Sequence, residues 1–330
     1  MNPILLVSVM ISFTCTFLLT KYWIPVAKRS GFVGKDMNKP LKPEVAEMGG
    51  VAVLAGIVGG LLFYVGLNTF VFDNAAFNLY LFGAMTTVLL IAIIGFIDDL
   101  LGWKIGIKQW QKPLLTLPAA LPMMVINAGT SSVSLPFIGT VDFGIMYPLF
   151  LIPIGIVGAS NGFNMLAGYN GLEAGMGILI ISGIGTISYI KGNSPVALMS
   201  SIAVAALVAF LFFNWNPAKI FPGNGFTYMI GSYIACIAIL ANAEKFAIIA
   251  FIPYFVDFLL KARSRMKAEE FGKVRDDGSI VKPYDKYYGL THMIIDLISK
   301  LKGKAFERDI VISCLMIEAL LVVLGLLFYL

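Results

Sequence analysis

LYLFGAMTTVLLIAIIGFI, residues 79–97, is an uncharged run of nineteen residues that ends abruptly at Asp98 and Asp99. As a helix it would be about 28 Å long, close to the roughly 30 Å thickness of a bilayer's hydrocarbon core. Similar runs recur along the 330 residues, Ile178 to Ile190 among them, and the whole chain is 58% hydrophobic and 13% charged. A soluble domain carries roughly 25% charged residues, so water is not the solvent for most of this surface. The fold class expected is an all-α polytopic membrane protein.

Apolar runs bounded by polar or Gly/Pro-rich breaks give about ten spans, at residues 3–27, 46–67, 77–97, 111–127, 145–163, 172–190, 195–213, 225–242, 245–261 and 308–330. They predict one integral membrane domain over 1–330, with loops at about 28–45, 98–111, 164–171, 214–224 and 262–307 on one side. Of the 24 Lys and Arg, about 22 are assigned to that side, Lys191 and Lys245 being on the other. Lys28, Arg29, Lys35, Lys39 and Lys42 lie in the first of these loops, and Lys104, Lys108 and Lys112 in or beside the second. By the positive-inside rule this face is cytoplasmic and both termini are extracytoplasmic. The net charge of +5 therefore reports topology, and no nucleic-acid partner is expected.

Met1 to Met10, MNPILLVSVM, lacks a basic leader and reads as a retained first helix. Cys15, Cys236 and Cys314 sit in apolar runs, where a thiol behaves as a small hydrophobe, so neither a disulfide nor a metal thiolate is expected. On the outer side, Gly129 to Gly144 alternates between Gly and Pro breaks and predicts a short β-hairpin.

Against this background the polar residues stand out. Asp98 and Asp99 close the third span. An acidic pair at a membrane boundary is ordinarily a solvated helix end. Adjacent helical residues point about 100° apart, so the two can serve one site only from different directions. Lys112, just inside the next span, is placed to meet one of them or an anionic ligand. SNGFNMLAGYNGLEAG, residues 160–175, puts Asn161 and Asn164 on one helical face at the same side of the membrane. Such carboxamides commonly glue helices together. Their oxygens also ligate hard cations, and their N–H groups hold phosphates or base edges. EVAEMGG at Glu44 to Gly50 and the Pro/Gly-broken loop that begins NWNPAKIFPGNG at Asn214 add further oxygen and amide groups. Several same-side loops offering oxygens, amides and a cation suit an anionic, metal-bound, partly polar ligand such as a nucleoside diphosphate with Mg2+. No His/Cys cluster suits zinc.

Together GFIDD, the string from Ser160 to Gly175 and FPGN resemble the polyprenyl-phosphate N-acetylhexosamine-1-phosphate transferase family, over nearly the whole chain. The archaeal and eukaryotic branch acting on UDP-GlcNAc and dolichyl phosphate is the one most similar. The resemblance implies transfer of a sugar 1-phosphate, GlcNAc-1-phosphate in that branch, from a UDP-N-acetylhexosamine to a polyprenyl or dolichyl phosphate. It implies Mg2+ as cofactor, with Mn2+ as a substitute, and membrane lipids and a homodimer as partners. Position by position, Asp98, Asp99 and Lys112 match catalytic residues, and Asn164 matches a metal ligand. Gly168, Asn170 and Phe221 match a uracil pocket, and Glu47 and Asn161 match other polar positions lining the site; Met37 and Glu173 are further substrate-binding candidates, with Glu173 expected to anchor its loop. Where the family has a second metal-binding Asp, this chain has Asn224, which keeps an oxygen but loses a charge. Metal binding without nucleotide is therefore expected to be weak.

Arg265, in the basic run that starts at Lys261, is the candidate for sugar or phosphate recognition, and the single His, His292, does not reproduce the family's His-containing motif. Such a run ordinarily contacts anionic lipid. The compact last loop favours a prokaryotic plasma membrane over the endoplasmic reticulum. The alternative function is a nucleotide-sugar or lipid transporter, which would carry its polar ligands near the bilayer midplane.

Overall fold

The computed structural model describes residues 3–102, 106–135 and 139–329; Lys104 lies outside them. Helix α1 (Leu6–Arg29) leads into strands β1 (Val33–Lys35) and β2 (Glu44–Ala46), which pair antiparallel. Helices α2 (Gly50–Phe70) and α3 (Asn78–Leu101) follow, then the short α4 (Gln111–Thr116) and α5 (Leu121–Val125). The expected hairpin forms from β3 (Ser132–Leu135) and β4 (Gly139–Asp142), with Ser132 opposite Asp142. Next come α6 (Ile152–Met165), α7 (Leu172–Ile190), α8 (Ser194–Asn214) and α9 (Asn224–Ala241). The last part holds α10 (Glu244–Ala250), α11 (Ile252–Ala262), β5 (Lys273–Val274), β6 (Ile280–Val281), α12 (Leu290–Lys302) and α13 (Glu307–Leu327).

Among the described residues eight helices are long and apolar enough to cross a membrane: α1, α2, α3, α6 with the wider turn at Tyr147–Leu151 that precedes it, α7, α8, α9 and α13. The two remaining expected spans are not continuous helices. Residues 111–127 become α4, a 3-10 turn at Pro118–Ala120 and α5, because Pro113, Pro118 and Pro122 each remove a backbone donor. Residues 245–261 break at Phe251, just before Pro253, into α10 and α11. The all-α membrane class stands, with two of the ten segments built from pieces.

Helix α9 is the axis of the bundle, with 89% of its apolar window buried. It packs against α3, α6, α7 and α2. Close approach on its two sides depends on glycines: a Cβ on Gly95 of α3 would lie 2.6 Å from the carbonyl oxygen of Asn224, and one on Gly231 would lie 2.3 Å from that of Ala159 in α6. These crossings bring the end of α3, with Asp98 and Asp99, and the end of α6, with Asn161 and Asn164, to the start of α9.

Helix α1 is held by a polar seam. Ser8, Ser12, Thr16 and Thr20 repeat every fourth residue, share one helical face and are fully buried against α2 and α8. The Ser12 hydroxyl donates to the Ile202 carbonyl in α8 (2.8 Å), and Thr16 abuts Gly56 of α2. Small and hydroxylated residues at membrane helix contacts let backbones approach, which apolar burial alone cannot drive in lipid.

Candidate active site

The acidic pair divides its work as its 100° separation requires. Asp98, 4% exposed, turns toward α4: its Oδ2 lies 2.9 Å from Lys112 Nζ and its Oδ1 accepts the Ile107 amide (2.7 Å). The Asn224 side-chain amide also donates to Asp98 Oδ2 (3.0 Å). Asp99 turns toward α9, accepting the backbone amides of Asn224 (2.7 Å) and Gly225 (3.0 Å). It satisfies donors that the first turn of a helix leaves free, and its charge faces the positive end of the helix dipole. Gly223 is required at this junction: its φ is +79°, and a Cβ would come within 2.7 Å of Asp99 Oδ2.

Across α9, Asn164 Oδ1 accepts the Thr227 hydroxyl (2.6 Å). Asn161 donates to the Thr116 hydroxyl one turn beyond Lys112 (3.0 Å) and to the Val157 carbonyl (2.9 Å), so it ties α6 to α4. Tyr228 fills the space between. Its ring lies 5.7 Å from Lys112 Nζ, and its buried hydroxyl lies beside Asn164 and faces Asp98 and Asp99, without a partner at full hydrogen-bond geometry among the described residues. Glu47 lies within electrostatic reach of Asp99, and burial holds its carboxyl above the usual carboxylate range. The structure thus gathers Asp98, Asp99, Lys112, Asn164 and Asn224, with Glu47 and Asn161 at the margin.

Gly168, Asn170 and Glu173 belong to a second polar cluster. Asn170 donates its side-chain amide to Asp36 (2.9 Å) and its backbone amide to Glu307 (2.9 Å). Asn38 reaches the Gly168 carbonyl (2.8 Å), Asn216 reaches Glu307 (2.7 Å), and Lys39 pairs with Glu307 and, at 3.7 Å, with Asp36. Glu173 is buried and accepts the Gly168 amide (2.7 Å), so it anchors its own loop. Gly168 has φ +108° and packs on the Phe271 ring, where a Cβ would clash at 2.7 Å. Phe221 stands apart from Asn170 in the hydrogen-bond pattern, its backbone joined to Ala46 and Gly49.

Met37 lines a groove of about 640 Å³ with Lys42, Phe271, Lys273 and Tyr284. Arg265 is exposed in a turn after α11, at φ +55°, with no hydrogen bond or ion pair to the other candidates. A third polar knot lies beside it. Lys261 pairs with Asp257 (3.1 Å) and Glu270 (2.9 Å) and donates to the carbonyl of Met165, next to Asn164.

Sequence reasoning did not single out Tyr228, Thr227, Asp36, Asn38 or Glu307. A signal existed for the first two: α9 has 3.6 residues per turn, so Asn224, Thr227 and Tyr228 share one face. No local pattern pairs Glu307 with Asn170, 137 residues away.

No group of three or more His, Cys, Asp or Glu side chains able to hold a metal occurs among the described residues. The donors at the first centre are two carboxylates and two carboxamide oxygens. Such a set suits a hard cation that draws further oxygens from a ligand and from water, and so fits Mg2+.

The model of glycosyl transferase family 4 matches residues 81–242, which include Asp98, Asp99, Lys112, Asn164 and Asn224. A Saccharolobus solfataricus protein, provisionally named UDP-N-acetylglucosamine–dolichyl-phosphate N-acetylglucosaminephosphotransferase, is 35% identical over 323 residues, covering 97% of this chain and 95% of the relative. The protein of that name from Dictyostelium discoideum is 26% identical over 352 residues, 92% of this chain and 84% of its own. A phospho-N-acetylmuramoyl-pentapeptide-transferase of Halalkalibacterium halodurans is 31% identical over 268 residues, 76% and 78% of the two chains. With similarity running through nearly its full length and through the acidic centre, the chain belongs to glycosyl transferase family 4.

Proposed function

We propose that this protein transfers GlcNAc-1-phosphate from UDP-GlcNAc to a polyprenyl phosphate of the dolichyl type, giving a sugar-pyrophosphate lipid and UMP. The observation that carries this reading is the centre at the start of α9, where Asp98 and Lys112 form a buried ion pair beside Asp99, Asn164 and Asn224. An oxygen of the lipid phosphate forms a bond to the sugar-linked phosphorus. The bridging bond to the uridine-side phosphate breaks, and UMP leaves with its electron pair. Two anions must meet, so catalysis rests on positioning and on spreading charge.

Lys112 is the cation for that task; it exchanges Asp98 for a phosphate oxygen when the ligand binds. Phosphate monoesters are largely dianionic near neutral pH, with a second pKa of about 6, so Asp98 orients the acceptor without having to remove a proton. Asp99 keeps the first turn of α9 in place. Asn164, Asn224 and the two aspartates would hold Mg2+, which supplies neutralising charge for the pyrophosphate. Residues 28–45 and 262–307 face the cytoplasm in this reading, both termini lie outside, and the chain acts as one unit in the plasma membrane.

A transporter would collect its polar ligands at mid-membrane. Here they collect at one end of α3, α6 and α9. The test is label transfer from radioactive UDP-GlcNAc to an organic-extractable lipid by the purified protein, with and without Mg2+. Label in the lipid fraction is the expected result; uptake of UDP-GlcNAc into vesicles with no labelled lipid would overturn it. A panel of UDP-sugars with product-lipid mass fixes the donor.

A further inference from the structure

Helix α12 has three faces where an ordinary surface helix has two. Thr291, His292, Ile294, Ile295 and Ile298 are buried against the protein. Asp296 and Lys300 form an ion pair one turn apart (2.8 Å), on a polar face. Met293, Leu297 and Leu301, at four-residue spacing, form a third face that is apolar and exposed, at 42%, 57% and 76%. An apolar stripe of this kind in water is costly, at roughly 25 cal/mol per Å2 of exposed surface.

The two ends of α12 place the stripe relative to the neighbouring apolar helices. At the first end the Leu290 amide donates to Asp257 Oδ1 in α11 (2.8 Å). The next residues of α11, Phe258 and Leu259, are exposed apolar side chains, as are Ile252 and Phe255 before them. At the second end Lys302 pairs with Asp309 in the first turn of α13 (2.9 Å), between exposed Phe306 and Ile312. Both ends are therefore pinned at the level where membrane helices begin to show apolar side chains outward. A helix of 13 residues, about 20 Å long, is held across that level.

We infer that α12 lies in the plane of the site-side leaflet, with Met293, Leu297 and Leu301 immersed at the boundary between headgroups and acyl chains and Asp296 and Lys300 toward water. This is the arrangement of an interfacial amphipathic helix, here tied into an integral protein. The consequence is a mechanical one: α12 also carries Thr291, whose hydroxyl donates to Glu270 (2.6 Å), and so links the leaflet to the Lys261 knot beside Asn164. The inference rests on membrane residence alone and does not depend on the reaction proposed above.

The test is nitroxide scanning of the full-length protein in lipid nanodiscs. Single cysteines replace Met293, Asp296, Leu297, Lys300 and Leu301 in turn, on a Cys15→Ala background that leaves the buried Cys236 and Cys314 in place. Power saturation with oxygen and a water-soluble nickel chelate reads depth. The oxygen-to-nickel accessibility ratio should be at least about threefold higher at 293, 297 and 301 than at 296 and 300. Nickel access at 297 and 301 equal to that at 300 would overturn the inference. So would exclusion of both reagents with dipolar broadening between labels, which would assign the stripe to a second copy of the chain. Leu297→Trp quenched by bromolipids repeats the reading without a spin label; no quenching in a monodisperse sample would count against it.

Discussion

Asp98 and Asp36 are both buried aspartates with a lysine nearby, yet the two lysines are held differently. Lys112 has one carboxylate partner among the described residues, Asp98 at 2.9 Å, and its other neighbour is the face of the Tyr228 ring. Lys39 is shared between Glu307 and Asp36, and the surrounding amides of Asn38, Asn170 and Asn216 fill the remaining acceptor positions. A cation with a single carboxylate partner can exchange it for a phosphate oxygen where that carboxylate keeps other donors, as Asp98 keeps the Ile107 and Asn224 amides. One held by two carboxylates cannot, because its departure leaves buried negative charge unbalanced. The first region is arranged to change partners and the second to hold the 166–171 loop still.

The largest effect that would sharpen this contrast is on Lys112→Ala, expected to lower kcat about 100- to 1000-fold. Its unfolding temperature should fall as well, because Asp98 is left buried without its cation, so the rate is read on the folded fraction; unaltered transfer rates would place the chemistry elsewhere. Glu307→Gln should act on stability alone. Removing one charge from the Lys39 network should cost about 3 kcal/mol of stability, read as a fall in unfolding temperature, with kcat at saturating substrate largely kept. A variant that melts like the parent but has lost turnover would erase the distinction between the two clusters.

Tyr228→Phe keeps the ring under Lys112 and deletes only the hydroxyl beside Asn164. A drop of about tenfold in kcat, with little change in melting, is expected if that hydroxyl meets the ligand. A change in melting alone would make Tyr228 a packing residue. Asn224→Asp places a carboxylate where an amide now donates to Asp98. Calorimetry should find Mg2+ binding weak in the parent without nucleotide and about tenfold tighter in the variant; tight binding to the nucleotide-free parent would contradict the two-carboxamide site.

The smallest expected effect lies outside both clusters. Burial holds the His292 imidazole below its ordinary pKa of 6.5, so the folded protein favours the neutral ring. The unfolded chain takes up the proton more readily, so this contribution to stability is full above about 6.5 and is lost as pH falls through the depressed value. Melting curves from pH 8 to 5 should fall more steeply for the parent than for His292→Gln. Parallel curves would show that the ring's environment in the folded state is not what the geometry implies.

Much of this architecture is legible in the residues. The run at 79–97 announces a span, and Asp98 and Asn224, 126 residues apart, are each marked by a polar break in apolar sequence. The prolines in α4–α5 and α10–α11 stand in the sequence, but hydropathy reads each segment as one span because it counts residues and does not count lost amide donors. What is not legible is who pairs with whom. Asp36, Asn38 and Glu307 look like ordinary loop and helix-end residues until folding brings them to Asn170. Glu173 is legible as the anchor of its loop, and the fold adds the partner, the Gly168 amide.

The seam on α1 has a consequence for synthesis. Ser12 and its partner Ile202 are 190 residues apart, so at 5 to 20 residues per second roughly 10 to 40 s separate their emergence from the ribosome. Through that interval the seam of Ser8, Ser12, Thr16 and Thr20 has no α8 to bury it. Its hydroxyls can meanwhile bond back to carbonyls four residues earlier in α1. Helix α1 can thus pack on α2 early but is fully seated late, and a quality-control factor that recognises partly uncovered polar groups in a membrane helix would have a defined window in which to find it.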